Sequence, residues 1–88
     1  IKMTKKKMTK KLRDECWIRE FNTCDLGMCP ISTCSIHIHK NSNPKDWHAG
    51  HIISEYNGGP TEKNNLRPIC EKCNLDMGTQ NWNDYDNV

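Results

Sequence analysis

The sequence predicts a single small α+β domain whose core is too small to hold the fold together unaided. The chain has 88 residues, of which 34% are hydrophobic and 7% aromatic. A chain of this length cannot bury two independent cores, and helical and strand-like patterns alternate along it. Six cysteines are present, so links between them are the expected source of the missing stability. A domain of this size excludes an enzyme with a large internal pocket.

The sequence predicts neither a membrane span nor a secretory signal. Its apolar runs are two or three residues long, such as Ile52-Ile53, whereas a span needs roughly 18. The charged first residues are not followed by the apolar stretch that a secretory signal contains. We therefore expect an intracellular location, in the cytoplasm, nucleus or virion, where clustered cysteines favour metal over disulfides.

The positive charge is concentrated at the start of the chain. Residues 1–13 include seven basic and no acidic residues, and the remainder includes six basic and eleven acidic ones. We predict a basic arm over residues 1–13, a folded domain over 14–82 and an acidic tail over 83–88. Such an arm is typical of polyanion binding, although a solvated chain end has the same composition. The candidate nucleic-acid contacts are Lys5, Lys6, Lys7, Lys10, Lys11, Arg13, Arg67 and Lys72.

The first regular element is an amphipathic helix. The segment Thr9 to Phe21 contains no Pro or Gly, and its apolar residues are spaced so that several share one helical face. The following residues, Asn22 to Leu26, break this pattern. A tight turn is predicted at Gly27 to Pro30.

Two strands and a hairpin are predicted next. Residues Ser35 to Lys40 alternate with a period of two, which places His37 and His39 on the solvated face of a strand. The turn formers in Asn41 to Asp46 then predict a hairpin onto a second strand, from Trp47 to Ile53.

The last third of the chain predicts a loop, a strand and a helix. Glu55 to Pro60 reads as a loop, and Thr61 to Asn65 as one helical turn. The short apolar run Leu66 to Ile69 precedes a helix-compatible segment, Glu71 to Met77, with Gly78 at the expected C-cap position.

The cysteine spacing predicts a structural zinc site. Cys70 and Cys73 have the spacing of a zinc knuckle, in which two thiolates on a tight turn bind one ion. Cys29 with Cys34 is the preferred second pair, because Gly27 and Pro30 supply a turn there. Cys24 with Cys29 has the same spacing and remains an alternative. The alternative to a zinc site is that cysteines of this group form a disulfide.

The residues around His51 carry a resemblance to a known family. The stretch Gly50-His51-Ile52-Ile53-Ser54, the pair Gly58-Gly59 and the run Asn65 to Asn74 resemble the HNH endonuclease family, which has a ββα-metal fold. The resemblance covers Cys29 to about Asn81. The continuation Met77 to Asn81 resembles HNH-like proteins of large DNA viruses.

The resemblance implies a division of roles in the hydrolysis of phosphodiester bonds. His51 would be the general base, because an imidazole with a pKa of about 6.5 can take a proton from water at neutral pH. Asn65 would fix the ring of His51. Asn74 would bind a catalytic divalent ion, and its amide oxygen suits Mg²⁺ or Mn²⁺ better than zinc.

One position departs from the family pattern. Gly50 stands where the family usually has Asp, Glu or His as the other metal ligand. His48 is a possible replacement, but on a regular strand it would need a bulge to reach the same site. Asp46 and Glu55 are more distant candidates.

Two functions of different classes fit these observations. The first is a metal-dependent nuclease that nicks or cleaves DNA, with RNA as an alternative substrate. The second is a zinc-stapled DNA-binding or packing module within a larger, possibly viral, assembly. A protein-binding zinc finger is a weaker third reading. The three Trp residues and Tyr56 are read as core or lid residues rather than as base-stacking groups, and Arg67 and Lys72 could equally be solvated.

Overall fold

The computed structural model describes residues 7–42 and 46–87. Within them no helix is both long and apolar enough to cross a membrane. Part of the predicted arm, including Lys5 and Lys6, lies outside the described residues, as do residues 43–45 of the predicted hairpin turn. The elements in chain order are α1 (Lys10–Phe21), β1 (Leu26–Met28), β2 (His37–His39), β3 (Trp47–His51), β4 (Leu66–Cys70), α2 (Glu71–Met77) and α3 (Trp82–Tyr85). Two 3-10 turns, Glu55–Asn57 and Lys63–Asn65, lie between β3 and β4.

The predicted N-terminal helix is confirmed as α1. Thr9 caps it, because its side-chain oxygen accepts a hydrogen bond from the backbone N–H of Leu12 at 3.1 Å. The helix ends at Phe21, and the next residue, Asn22, has a positive φ of 57°. Since α1 begins at Lys10, the last four residues of the predicted basic arm belong to this helix.

The predicted hairpin between the two histidine-bearing strands is wrong. β2 pairs antiparallel with β1, and β3 pairs antiparallel with β4, giving two separate two-stranded sheets. The sequence did not predict β1, because its central residue, Gly27, is typical of a turn. A Cβ atom there would lie 2.6 Å from the ring of Phe21, so only glycine lets this strand pack against α1.

The second sheet and α2 form the predicted ββα unit. β3 and β4 pair without interruption from Trp47 opposite Cys70 to His51 opposite Leu66. α2 follows β4 directly and ends at Met77, and Gly78 follows at the predicted C-cap position with a positive φ of 57° that favours glycine. The α+β fold class predicted from the sequence, with an N-terminal helix ahead of this unit, is therefore confirmed.

Aromatic side chains fill the space between α1 and the second sheet. Trp17 is fully buried, and its ring centroid lies 4.6 Å from that of Phe21 and 4.9 Å from that of Trp47. The guanidinium of Arg13 covers the ring of Trp47 at 3.6 Å. These contacts confirm the prediction that the tryptophans belong to the core, and they engage Arg13 in packing.

An ion pair joins α1 to β4. Arg67 donates two hydrogen bonds to the carboxylate of Glu20, from Nε at 2.9 Å and from a terminal nitrogen at 3.1 Å. The same guanidinium lies over the ring of Trp82 at 4.7 Å. Arg67, a candidate nucleic-acid contact in the sequence, therefore links three elements of the fold.

The end of the chain packs onto the body. Trp82 is buried, and its backbone N–H donates to the carbonyl of Ile52 at 2.8 Å. The hydroxyl of Tyr85 donates to Asp76 at 2.9 Å, and Asp86 accepts a hydrogen bond from the backbone of Ser32 at 3.1 Å. The boundary predicted between residues 82 and 83 falls inside α3.

Removing the acid of the ion pair should weaken the fold measurably. We expect Glu20→Gln to lower the free energy of unfolding by about 1 kcal/mol, because the half-buried guanidinium of Arg67 loses a two-point partner. The matched control is Glu15→Gln on the same helix. Glu15 pairs with Lys63 across 3.9 Å at a more exposed site, so we expect a change below about 0.5 kcal/mol. Equal losses in urea unfolding of the two variants would contradict this assignment.

Candidate functional site

Four cysteines converge at one end of the molecule. The sulfurs of Cys29, Cys34, Cys70 and Cys73 all lie within 4.8 Å of one another. The sulfurs of Cys34 and Cys70 are 3.8 Å apart. A tetrahedral zinc ion with arms of about 2.3 Å requires sulfur separations of about 3.8 Å, whereas a disulfide requires about 2 Å. The cluster therefore has the dimensions of a zinc site.

Backbone N–H groups form hydrogen bonds to two of these sulfurs and within the turn that carries Cys34. The sulfur of Cys70 accepts the backbone N–H of Cys73 at 3.4 Å, and the sulfur of Cys29 accepts that of Cys70 at 3.5 Å. The backbone N–H of Cys34 donates to the carbonyl of Ile31 at 2.9 Å, which closes the turn between Cys29 and Cys34. N–H groups directed at sulfur favour the thiolate, which is the form that binds metal.

The structure decides between the two upstream cysteine pairs. Cys24 is exposed and lies outside the cluster, whereas Cys34 belongs to it. The preferred pair, Cys29 with Cys34, is therefore the one that the fold brings to Cys70 and Cys73. The remaining cysteine, Cys16, is 1% exposed in the core, as expected of a cysteine that packs as a small apolar residue.

Burial makes ion binding by these thiols dependent on pH. Burial raises the pKa of Cys29 to about 11 and raises that of Cys73 further. Without an ion these two thiols hold their protons at neutral pH. An ion must displace the protons when it binds, so affinity for the ion rises with pH and falls as the solution is acidified.

A cleft on another part of the ββα unit contains two of the three predicted catalytic residues. Its volume is about 370 Å³, and both His51 and Asn74 line it. His51 ends β3, and Asn74 lies in the first turn of α2, directly after the zinc-site residue Cys73. The rest of the lining comes from Ser54 to Tyr56 and from Met77 to Gln80. The fold thus brings together two residues that are 23 positions apart in the sequence.

Thr61, rather than Asn65, contacts the ring of His51. The Nε2 atom of His51 lies 3.0 Å from the hydroxyl of Thr61. Thr61 is buried, and it was missed because an isolated threonine after a Gly-Gly-Pro loop carries no signal of a catalytic contact. When Nε2–H donates to this hydroxyl, the Nδ1 atom is left with a free lone pair.

The side chain of Asn65 binds the backbone of the loop that follows His51 rather than the imidazole ring itself. Its side-chain oxygen accepts the backbone N–H of Ile53 at 2.9 Å. Its side-chain nitrogen donates to the carbonyls of Ile53 at 3.0 Å and Pro60 at 2.9 Å. Both amide protons are used in this way, so Asn65 holds the two ends of the loop that follows His51.

The loop also depends on a glycine at one position. A Cβ atom on Gly59 would lie 1.8 Å from the carbonyl oxygen of Ile53 and 2.9 Å from the side-chain nitrogen of Asn65. No side chain fits there. Gly58 is different, because a Cβ atom would meet nothing within 4 Å and only its φ of 89° favours glycine.

Gly50 lies next to Asn74, as the family resemblance implies. A Cβ atom on Gly50 would be 3.6 Å from the side-chain oxygen of Asn74, but only 2.8 Å from a methyl group of buried Ile69. β3 has no bulge, and His48 contacts Glu71 at 3.6 Å instead of lining the cleft. His48 is therefore not placed to replace the missing ligand.

The two carboxylates considered as replacement metal ligands differ in their position relative to the cleft. Glu55 lines the cleft with His51 and Asn74, and Asp46 does not. In the part of the chain that the structure describes, the four cysteines are the one group of three or more His, Cys, Asp or Glu side chains close enough to share an ion. The cleft itself therefore contains no such group among the described residues.

Among residues 7–42 and 46–87, none of the candidate nucleic-acid contacts lines the cleft. Lys7, Lys11 and Lys72 are exposed. Lys10 is exposed too and pairs with Asp14 at 3.2 Å. Arg13 and Arg67 are engaged in the packing described above. Tyr56 is not a core residue, because 80% of it is exposed, and it lines the cleft.

The fold and the site together define a ββα unit that has a four-cysteine cluster with the dimensions of a zinc site and a cleft lined by a histidine. The sequence model of the HNH endonuclease family matches residues 29–80. Because this match covers more than half of the chain, the protein belongs to the HNH endonuclease family. No curated protein and no solved structure matches the chain. The resemblance of Met77 to Asn81 to viral proteins has no support from a relative and stays a prediction.

Loss of one zinc-site thiol should abolish zinc binding and destabilise the domain. We expect Cys73→Ser to bind less than about a tenth of an equivalent of zinc and to unfold at a lower temperature, because the free energy of ion binding stabilises such small folds. Cys24→Ser is the matched control and should bind zinc like the wild type. Zinc content and thermal unfolding measure both effects. Affinity that does not fall on acidification from about pH 8 to pH 6 would contradict the pKa argument.

The two loop glycines should differ sharply in their tolerance of a side chain. We expect Gly59→Ala to cost more than about 3 kcal/mol of unfolding free energy, because the new methyl group collides with backbone. Gly58→Ala should cost only about 1–2 kcal/mol, which is the conformational penalty of a left-handed residue. Urea unfolding of both variants measures the difference. Equal costs would show that the loop conformation described here is wrong.

Proposed function

We propose that the protein is a metal-dependent endonuclease that hydrolyses phosphodiester bonds of DNA in the cleft between β3 and α2. The observation that carries this proposal is that His51 and Asn74 line one cleft although they lie on different elements. Family membership supports a nuclease-type activity. An imidazole and an amide oxygen on the same small cavity support the proposal, because hydrolysis of a phosphodiester requires a proton acceptor and an oxygen ligand for a metal ion.

The charge of the cleft supports a requirement for a divalent cation. Among the described residues its lining includes the acid Glu55 and neither Lys nor Arg. A phosphodiester is an anion, so it would be repelled from this cleft in the absence of a bound cation. The amide oxygen of Asn74 suits a hard ion such as Mg²⁺ or Mn²⁺. Such an ion would neutralise the phosphate and the developing charge on the leaving oxygen.

The role of His51 follows from its contact with Thr61. If Nε2–H donates to the hydroxyl of Thr61, Nδ1 can accept a proton from a water molecule in the cleft. Thr61 then acts as a positioning residue, because it sets the ring orientation and the tautomer. Asn65 positions the ring less directly, by holding the backbone of the loop that follows it.

The zinc site has a structural role in this proposal. Cys29, Cys34, Cys70 and Cys73 would hold the ion, and four thiolate ligands would leave no open position for water or substrate, which is typical of structural zinc. It fixes the start of α2, where Asn74 directly follows Cys73. Reduced thiols of this kind fit an intracellular location.

The basic N-terminal segment is the proposed source of general DNA affinity. The rest of the chain has six basic and eleven acidic residues, so it offers little attraction for a polyanion. Binding through lysines releases counterions from DNA and weakens steeply as salt concentration rises. Residues 1–8 can be deleted without removing the Thr9 cap of α1 or the packing of Arg13 on Trp47.

A second candidate function is a DNA-binding module with the same fold and little or no catalysis. Gly50 favours it, because this chain lacks a side-chain ligand next to Asn74. Such a module would serve within a larger assembly. It predicts salt-sensitive DNA binding that depends on residues 1–8 and is indifferent to His51→Ala.

The decisive measurement is nicking of supercoiled plasmid by zinc-loaded protein in Mg²⁺ or Mn²⁺. We expect His51→Ala to lower the nicking rate by at least about 100-fold, because general base catalysis contributes a factor of that order. His37→Ala is the matched control, since His37 is an exposed histidine on β2 that does not line the cleft. It should nick like the wild type.

The outcomes separate the candidate functions. Nicking that is unaffected by His51→Ala would contradict the role of this residue. Salt-sensitive DNA binding without nicking in any divalent metal would favour the binding module. Absence of both would favour a protein-binding zinc finger, and cleavage of RNA alone would change the substrate class.

A further inference from the structure

We infer that Glu55 is the carboxylate ligand of the divalent ion in the cleft and takes the place of the ligand that Gly50 cannot supply. The inference rests on the proposed function, because it names a ligand of the same site. It concerns a residue on the loop after β3, at the start of the 3-10 turn Glu55–Asn57. In the sequence this residue was only a distant candidate.

The first support is the position and charge of Glu55. It lines the cleft with His51 and Asn74, and among the described residues it is the one acid in that lining. Its carboxylate forms no ion pair within 4.0 Å in the described part of the chain, unlike Glu15, Glu20 and Glu71. An acid in a cleft without Lys or Arg has no protein cation to neutralise it, so the site attracts a dissolved cation.

The second support is that the backbone on both sides of Glu55 is held in place. The N–H of Ser54 donates to the side-chain oxygen of Asn81 at 2.9 Å. The N–H of Gly58 donates to the carbonyl of Glu55 at 3.0 Å, and Asn65 fixes the preceding Ile53. A carboxylate on a fixed backbone loses less conformational entropy when it binds an ion than one on a free loop.

The third support is that β3 has no room for the usual ligand. A Cβ atom on Gly50 would lie 2.8 Å from Ile69 and 3.6 Å from the ring of Trp82. Ile69 and Trp82 are both buried in the core. A larger residue at position 50 would therefore have to displace core side chains, so an acidic ligand is more easily supplied by the loop than by the strand.

The test is Mn²⁺ binding to the zinc-loaded full chain, measured by titration calorimetry and by the electron paramagnetic resonance of free Mn²⁺. We expect Glu55→Gln to raise the Kd for Mn²⁺ by at least about tenfold, because an anionic ligand is lost. The matched control is Glu62→Gln, an exposed acid outside the cleft whose side chain caps no helix. It should change the Kd by less than about twofold. Thermal unfolding verifies that both variants fold.

A third variant separates ligation from simple attraction between charges. Glu55→Asp keeps the charge but shortens the reach of the carboxylate, so a ligand role predicts weaker Mn²⁺ binding than in the wild type. Full retention of affinity in Glu55→Asp would assign the effect to through-space charge and overturn the inference. So would equal affinities for Glu55→Gln and Glu62→Gln. Wild-type protein that neither binds Mn²⁺ nor nicks DNA would instead contradict the proposed function itself.

Discussion

The structure depends on the convergence of four cysteine sulfurs. They come from the turn after β1 and from the junction of β4 with α2, so the cluster ties the first sheet to the ββα unit. Few large aromatic side chains are available to join these two parts of the fold, since the chain has one Phe, two Tyr and three Trp. A zinc ion bound there would supply the stability that so small a core lacks, because ion binding is coupled to folding. The cluster also places the start of α2, and hence Asn74, in relation to β3.

Asparagine side chains shape the cleft through the backbone. Asn65 and Asn81 together bind the N–H groups of two consecutive residues in the loop after β3, and Asn65 also binds two carbonyls. A side-chain amide has both donors and an acceptor. It can therefore bind the backbone N–H and carbonyl groups of a loop, which in a sheet would bind a neighbouring strand. The close contact at Gly59 completes this arrangement. The loop therefore presents its side chains from a backbone with few free hydrogen-bonding groups.

Much of the fold follows from local patterns in the sequence, and the errors have physical causes. α1, α2 and the zinc cysteines were predictable because helical periodicity, a C-cap glycine and cysteine spacing are short-range signals. The strand pairing was not, because β1 contains a glycine that packs on Phe21. Because β1 was not predicted, β2 was paired with β3 instead of with β1. Which strands pair depends on contacts between residues far apart in the chain.

The site was predictable to a similar extent. His51 and Asn74 followed from the resemblance, and the cleft contains both. Thr61 and the backbone role of Asn65 could not be read from the sequence, because each depends on where a loop folds back in space. The engagement of Arg67 with Glu20 likewise has no local signal, since the two residues are 47 positions apart.

The docking of the C-terminal segment has a consequence for where the working unit ends. The matched family region stops at residue 80, yet Asn81 binds the N–H of Ser54 and the N–H of Trp82 binds the carbonyl of Ile52. A protein that ended at residue 80 would leave both of those backbone groups without these partners. It would also lose the ring of Trp82, which packs close to Gly50. The segment that supports the cleft is therefore longer than the family match, and it includes α3.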